Sequence, residues 1–240
     1  MPALRIGRRA LPLLAIAAAA APARADTVDL ALNCDPTLAP ALRKASAAYR
    51  ARTGVHVFVF PTGPALILPQ LTRDIQNDIL VTQVPVFEQA ERLGIIASDT
   101  GGRRWRNPVV VAGLRGAADA NVESFAVTDP IPGADIDGPA VLARLGLRPA
   151  RVLGALDTDE VAFLLTSGAA QVGLLHLTDV RADDRLAVLR SVPPEIQPPL
   201  QYTAGVTRLS QRPNPQGFIS FLGTAEGGAI LASAGLEAFT

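Results

Sequence analysis

Few side chains in this 240-residue sequence could do chemistry. One cysteine, Cys34, and two histidines, His56 and His176, are the only thiol and imidazole groups, and their spacing fits no zinc-binding pattern. A nucleophilic Cys34 would need a base, for which His176 is the one candidate if folding brings it near. No nucleophile-elbow motif is present. These residues predict no catalytic centre, no metal site and no cofactor. His176 lies in an apolar stretch and reads either as a hydrogen-bonded core histidine or as a ligand contact; His56, in an alternating strand, reads as structural. Asp157 and Glu160 have the spacing of a helix capping pair, and Asp129-Pro130 that of a turn. Arg103, Arg104, Trp105 and Arg106 form either a solvated loop or a patch that attracts anions or a partner, with the Trp capping a core edge. Tyr202 reads as a plain strand residue.

The elements that must position these residues alternate. A strand Val28–Leu32 is followed by Asp35-Pro36, an N-cap and a favoured first helical residue. Leu38, Ala41, Leu42, Ala45 and Tyr49 then recur at helical spacing as far as Arg52, with Gly54 as the stop. Strand Val55–Phe60, a helix opened by Gly63-Pro64 and kinked or shortened at Pro69, strand Ile79–Thr82 and a helix near 86–93 continue the pattern. Pro108–Ala112 reads as a strand at the first crossing between two lobes. Ser124–Thr128, Arg151–Ala155 and Val172–His176 read as strands, with helices over Pro139–Leu145 and after Asp157. The Pro-rich 192–199 cannot be regular, and the strand Gln201–Arg208 returns the chain to the first lobe. Helices opening at Asn214-Pro215 and Thr224 close the sequence. Such alternation predicts an α/β protein of two lobes, each a mainly parallel sheet flanked by helices, with a ligand cleft between them. The expected division is lobe I at 27–113 plus 203–240 and lobe II at 114–202.

Export is written at the start. Arg5, Arg8 and Arg9 precede an apolar run from Ala10 to Ala21, and Ala23-Arg24-Ala25 fits a small-x-small cleavage site. Residues 1–25 are therefore expected to be a signal peptide cleaved after Ala25, by the Sec or twin-arginine route, which places the product in the periplasm. Cys34 lies beyond Asp26 and Asp29, too far along for a lipidation site. The four leader arginines removed, 18 basic residues stand against 22 acidic ones. That balance offers no basic footprint for nucleic acid and no polybasic membrane patch. One cysteine makes no internal disulfide, so a hydrophobic core must hold the fold.

Several stretches together resemble the periplasmic molybdate-binding family, type II periplasmic binding proteins that serve ABC importers. Ala31-Leu32-Asn33-Cys34 resembles the family's first strand ending in Ala-Ala-Ser. Tyr49 to Val55 resembles its Phe-x-x-x-x-Gly-Val turn, and Asn77 to Thr82 its Ala-Asp-Val-Phe-Ile-Ser strand. Asp129-Pro130 through Ala134, then Leu145-Gly146, resembles its Asp-Pro-x-x-x-Pro-Ala-Gly segment. Gly168 to Asp179 resembles Gly-x-Ala-Asp-x-Gly-Ile-Val-Tyr-x-Ser-Asp, and 218–235 resembles the closing helix pair.

The resemblance implies a non-enzymatic, monomeric solute-binding protein that presents a small oxyanion such as molybdate or tungstate to an ABC permease. In that family hydroxyls and backbone amides at helix starts hold the anion, which suits the partial positive charge of a helix N-terminus. Carried over position by position, the ligand-binding set becomes Cys34, Thr62, Gly63, Ala134, Thr158 and His176. Cys34 replaces a serine, and its thiol is a weak donor. Gly63 replaces a second serine and leaves Thr62 as the nearest hydroxyl. His176 replaces a tyrosine, and if protonated would favour an anion. Asp135 stands where the family has Gly and would repel a dianion unless it points away. These departures keep two other readings open: a scaffold with an altered or lost anion site acting as a periplasmic sensor or accessory protein, and a cleft for a different, organic ligand.

Overall fold

The computed structural model describes residues 29–73, 77–97, 102–117, 122–130 and 135–239. The leader expected at 1–25 and the candidate ligand residue Ala134 lie outside the described residues.

Strands and helices are numbered in chain order. The first sheet contains β1 (Leu30–Cys34), β2 (Val57–Pro61), β3 (Ile79–Gln83), β4 (Arg104–Asn107), β10 (Leu200–Val206) and β11 (Glu237–Phe239), in the order β11-β4-β10-β3-β1-β2. The second contains β5 (Val109–Leu114), β6 (Ser124–Thr128), β7 (Arg151–Ala155), β8 (Val172–His176) and β9 (Leu186–Ser191), in the order β7-β6-β8-β5-β9. Each has the expected parallel block, β2-β1-β3 in one and β7-β6-β8 in the other. Antiparallel β10, β4 and β11 extend the first, and β5 and β9 the second. Both sheets are thus mixed, where the sequence had suggested mainly parallel ones.

Helices cover both faces of each sheet. On the first, α1 (Ala39–Thr53), α7 (Pro215–Leu222) and α8 (Ala225–Ser233) enclose Leu32, Leu38, Leu42, Trp105, Tyr202 and Phe218. The opposite face packs α2 (Pro64–Leu71) and α3 (Val84–Arg92) through Ile67, Leu80, Phe87 and Ile96. On the second sheet α4 (Gly138–Arg144) covers Val127, Val172 and Leu174, while α5 (Thr158–Thr166) and α6 (Leu177–Ala182) cover Ala126, Leu165 and Leu175. Each fully buried Leu or Phe contributes about 1.5–3 kcal/mol of transfer free energy, so the cores need no crosslink. Helix α1 stops where expected: Gly54 takes φ 78° and its N–H bonds the Arg50 carbonyl.

Three sequence expectations change. The basic stretch at 104–107 is a strand, not a loop: Arg104 and Arg106 face solvent while Trp105 and Asn107 are buried, an alternation with period two that its charge disguises. Residues 109–113, assigned above to lobe I, pair entirely within the second sheet, and Leu200–Tyr202, assigned to lobe II, pair within the first. The chain therefore crosses at Pro108 and again within 192–199.

Gly173 sits at the centre of the second sheet, where a Cβ would meet a Val161 methyl at 2.8 Å and the Ala126 carbonyl oxygen at 2.9 Å. A Cβ on Gly63 would meet nothing within 4 Å. Gly173→Ala is expected to lower stability by about 1–3 kcal/mol in urea unfolding with an unchanged m-value, and Gly63→Ala to leave it nearly unchanged.

Candidate functional site

The C-terminal ends of the parallel strands face one another across the gap between the sheets. β1 runs into Asp35, which caps the turn Pro36–Leu38 by accepting the Thr37 N–H at 3.1 Å. β3 ends at Gln83, with Tyr202 of β10 its partner in register. From the second sheet come Asp135, ahead of α4, and the starts of α5 and α6. The Gln83 side-chain amide spans the gap, donating to Asp35 Oδ2 at 3.3 Å and to Asp135 Oδ1 at 3.1 Å. Nearby, Asn107 donates to the Thr178 hydroxyl at 2.8 Å and accepts from the Thr178 N–H at 3.3 Å, which ties β4 to α6. Asp179 accepts the His176 N–H at 3.0 Å and a hydrogen bond from the Thr158 side chain.

This junction is rich in carboxylates and poor in cations. Burial raises the Asp35 carboxyl above its ordinary range, against hydrogen bonds from Thr37 and Gln83 that lower it. Burial likewise raises Asp135, Gln83 opposing and the negative charge of Asp35 adding to the shift. Asp179 is pushed up to about 7, first by burial, with Asp159 and Asp35 contributing. Among the described residues the ion pairs are Arg52–Glu226 and Arg185–Asp183, neither involving these carboxylates. Tyr202 is fully buried, and its phenol is raised well above 10, first by burial and then by the negative charges of Asp35 and Asp135, with Asp179 contributing less. The Asn107 side chain lies beside the Tyr202 hydroxyl, and the buried His176 ring lies beside the Asn107 backbone.

The residues selected from the sequence fare differently. Thr158 and His176 come together at Asp179, but burial drives the His176 imidazole down to about 4, so it is neutral at neutral pH and lends no charge to an anion. Cys34 turns its side chain into the core cluster with Leu38 and Leu42, and its carbonyl accepts the Thr62 N–H at 2.8 Å. The Thr62 hydroxyl donates to Gln70 at 3.2 Å. Gly63 begins α2 and borders open space. Asp135 does not point away; its carboxylate meets Gln83. Asp157 accepts the Glu160 N–H and Glu160 the Leu156 N–H, which completes the expected capping pair.

Sequence reasoning passed over Asp35, Gln83, Asp179 and Tyr202 as site residues. Asp35 had been explained as a cap and Tyr202 as a strand residue. Gln83 carries no sequence signal, since nothing local distinguishes it from any polar residue at a strand end.

The profile of a family described as bacterial extracellular solute-binding protein matches residues 30–237. No curated protein sequence matches the chain. Among solved structures, the substrate-binding domain of what is described as a molybdenum ABC transporter from Clostridium difficile superposes with TM-score 0.76 at 19% identity, covering 89% of this chain and 100% of that one. The periplasmic molybdate-binding protein of Azotobacter vinelandii gives 0.68 at 15%, covering 86% and 98%. PEB3 of Campylobacter jejuni with bound L-phospholactate gives 0.63 at 15%, covering 87% and 99%. Likeness at this identity concerns the fold.

The carboxylates set a pH dependence. The folded-state value of Asp179, about 7, lies above the ordinary 3.8, so between those limits the folded state holds a proton that the unfolded chain has lost. Its stabilising contribution is complete below pH ~4 and falls away as pH rises through ~7. His176 has the opposite slope, its contribution being lost as pH falls from 6.5 toward 4. Asp179→Asn keeps an acceptor for the His176 N–H. Its unfolding midpoint relative to wild type is expected to rise steadily between pH 4 and 7, as measured by thermal unfolding across that range.

Proposed function

The chain belongs to the bacterial extracellular solute-binding proteins, and from that premise we propose that it captures a small molecule for an ABC importer. Its lobes are 29–107 plus 200–239 and 109–191, joined at Pro108 and 192–199, and the ligand lies where their strand ends meet. The observation that carries this reading is Gln83, whose one amide reaches carboxylates on both sides of the gap. A contact of that kind is made on closing and broken on opening, as capture by a two-lobed protein requires. Removal of the leader after Ala25 would leave a periplasmic monomer that docks to a membrane permease and performs no catalysis.

A tetrahedral oxyanion, molybdate or tungstate, is the ligand suggested by the resemblance and by two of the structural neighbours. The donors such an anion would use are largely engaged. Asp35 takes the Thr37 amide, Asp157 the Glu160 amide and Gln70 the Thr62 hydroxyl. An entering dianion would also face Asp35, Asp135 and Asp179, none of which is ion-paired among the described residues. These contacts favour the second ligand class left open by the sequence, an organic molecule in an altered cleft.

Two measurements test the capture reading. Protein purified under native conditions is expected to release a stoichiometric small molecule on unfolding, detected by mass spectrometry; consistent absence of any such molecule from exported, natively purified protein counts against it. Gln83→Ala removes the bridge, and ligand-free protein is then expected to expand by about 1 Å from the ~17 Å radius of gyration of a compact chain this size. Identical small-angle scattering from variant and wild type would show that Gln83 does not hold the lobes together.

A further inference from the structure

The second sheet carries a cavity of about 210 Å³ at the end remote from the gap between the lobes. Phe125 and Val172, paired in register at the starts of β6 and β8, line it together with Val111 of β5. Helix α4 stops at Arg144 and the chain turns at Gly146, where φ is 70°, so that Leu147 and Arg148 stand past the helix end as a further wall. Arg190 of β9 completes the lining; it pairs in register with Val111, and its side chain therefore stands on the same face of the sheet. We propose that this cavity is a second binding site, for a small organic acid whose carboxylate is held by Arg190 and Arg148 and whose apolar body rests against Phe125, Val111 and Val172.

Two observations of different kinds point to a ligand. The first is charge: among the described residues two arginines and no Asp or Glu line the cavity, and neither arginine is in an ion pair. The second is an orphaned donor, since Arg190 Nε is buried without a hydrogen-bond partner among the described residues. A guanidinium keeps its protons at any pH a folded protein survives, so this N–H stays a donor, and its burial costs free energy until an acceptor arrives. A carboxylate approaching side-on accepts from Nε with one oxygen and from a terminal nitrogen with the other. The atom left unpaired is thus one that such a ligand uses.

Size and polarity narrow the class. The cavity is smaller than the roughly 300 Å³ at which sites for drug-sized ligands begin. The side chains of its floor offer no donor, so a bare phosphate or sulfate would give up hydration on that side without replacement. An apolar ring or short chain gains there by leaving water. A cation is repelled by both arginines. The assignment is independent of what the gap between the lobes holds.

The probes are benzoate and hexanoate at constant ionic strength, with benzyl alcohol, benzylamine and inorganic phosphate for comparison. In amide-resolved NMR of the purified protein, the two acids are expected to shift signals of residues 146–148, Val172 and Arg190 and to leave those of Asp35 and Gln83 in place. At about a hundred times its Kd, the tighter acid should raise the unfolding midpoint by about 5–10 °C, while the alcohol and the amine leave it unmoved. Arg190→Met keeps a side chain of similar length and removes the charged head; with its ligand-free spectrum showing an intact fold, its affinity for the acid should be at least tenfold weaker. The proposal is overturned if neither acid produces a shift, if the shifts fall on Asp35 and Gln83 instead, if benzyl alcohol or phosphate acts as well as the acids, or if Arg190→Met binds them unchanged.

Discussion

Parallel strands cannot be joined by a tight turn, and this constraint sets the plan of the molecule. In the first sheet β1 reaches β2 through α1, and β2 reaches β3 through α2; in the second, β6 reaches β7 through α4, and β7 reaches β8 through α5. Each crossing returns the chain to the same end of its sheet. The segments that follow the strands, with their backbone amides and short polar side chains, therefore gather along one edge of each sheet. The two crossings at Pro108 and 192–199 bring those edges face to face. The Leu177 N–H bonding the Pro108 carbonyl at 2.8 Å fixes the start of α6 against the first of these joints. Asp35, Gln83 and Asp179 end or directly follow strands of the parallel blocks, so strand direction brings them to the junction before any ligand is considered.

Electrostatics at the junction is set by the same helix starts. A helix N-terminus offers unpaired N–H groups, and they can be satisfied by a bound anion or by a carboxylate of the chain itself. Here the chain supplies its own at Asp35 and Asp157. These carboxylates occupy amides that the start of a helix otherwise leaves free. Burial resists that charge, and the raised carboxyls of Asp35, Asp135 and Asp179 express the resistance.

Much of the fold was legible because hydrophobic period and capping chemistry are local. The helix from Ala39 to Thr53, its glycine stop, and strands β3, β6, β7 and β8 follow directly from residue spacing. Strand β4 was hidden because two arginines occupy its outward positions, and alternation over four residues is a weak signal against so much charge. The lobe boundary was misplaced by several residues because nothing in Val109–Leu114 states which sheet it will join; pairing partners do that. The site was less legible than the fold. Asp135 was noticed only as a departure from a pattern, and Asp35 had a sufficient local explanation as a cap. That Asp35 and Asp135, exactly a hundred residues apart in sequence, share one amide donor is a product of topology, which residue spacing does not encode. His176 shows the reverse: its position was found, but its charge state depends on complete burial, visible only once its strand is covered on both faces.

The lone thiol of Cys34 is fully enclosed, and its pKa is pushed up to about 12, first by burial and then by Asp35. Disulfide exchange proceeds through the thiolate and requires access. In an oxidising compartment the folded chain is therefore chemically silent, neither crosslinking to a second copy nor accepting a redox modification. Only a chain that has lost the first-sheet core exposes the sulfur. Covalent dimers or thiol adducts in a preparation of this protein would accordingly count molecules that have unfolded, giving the sequence an internal record of its own failures.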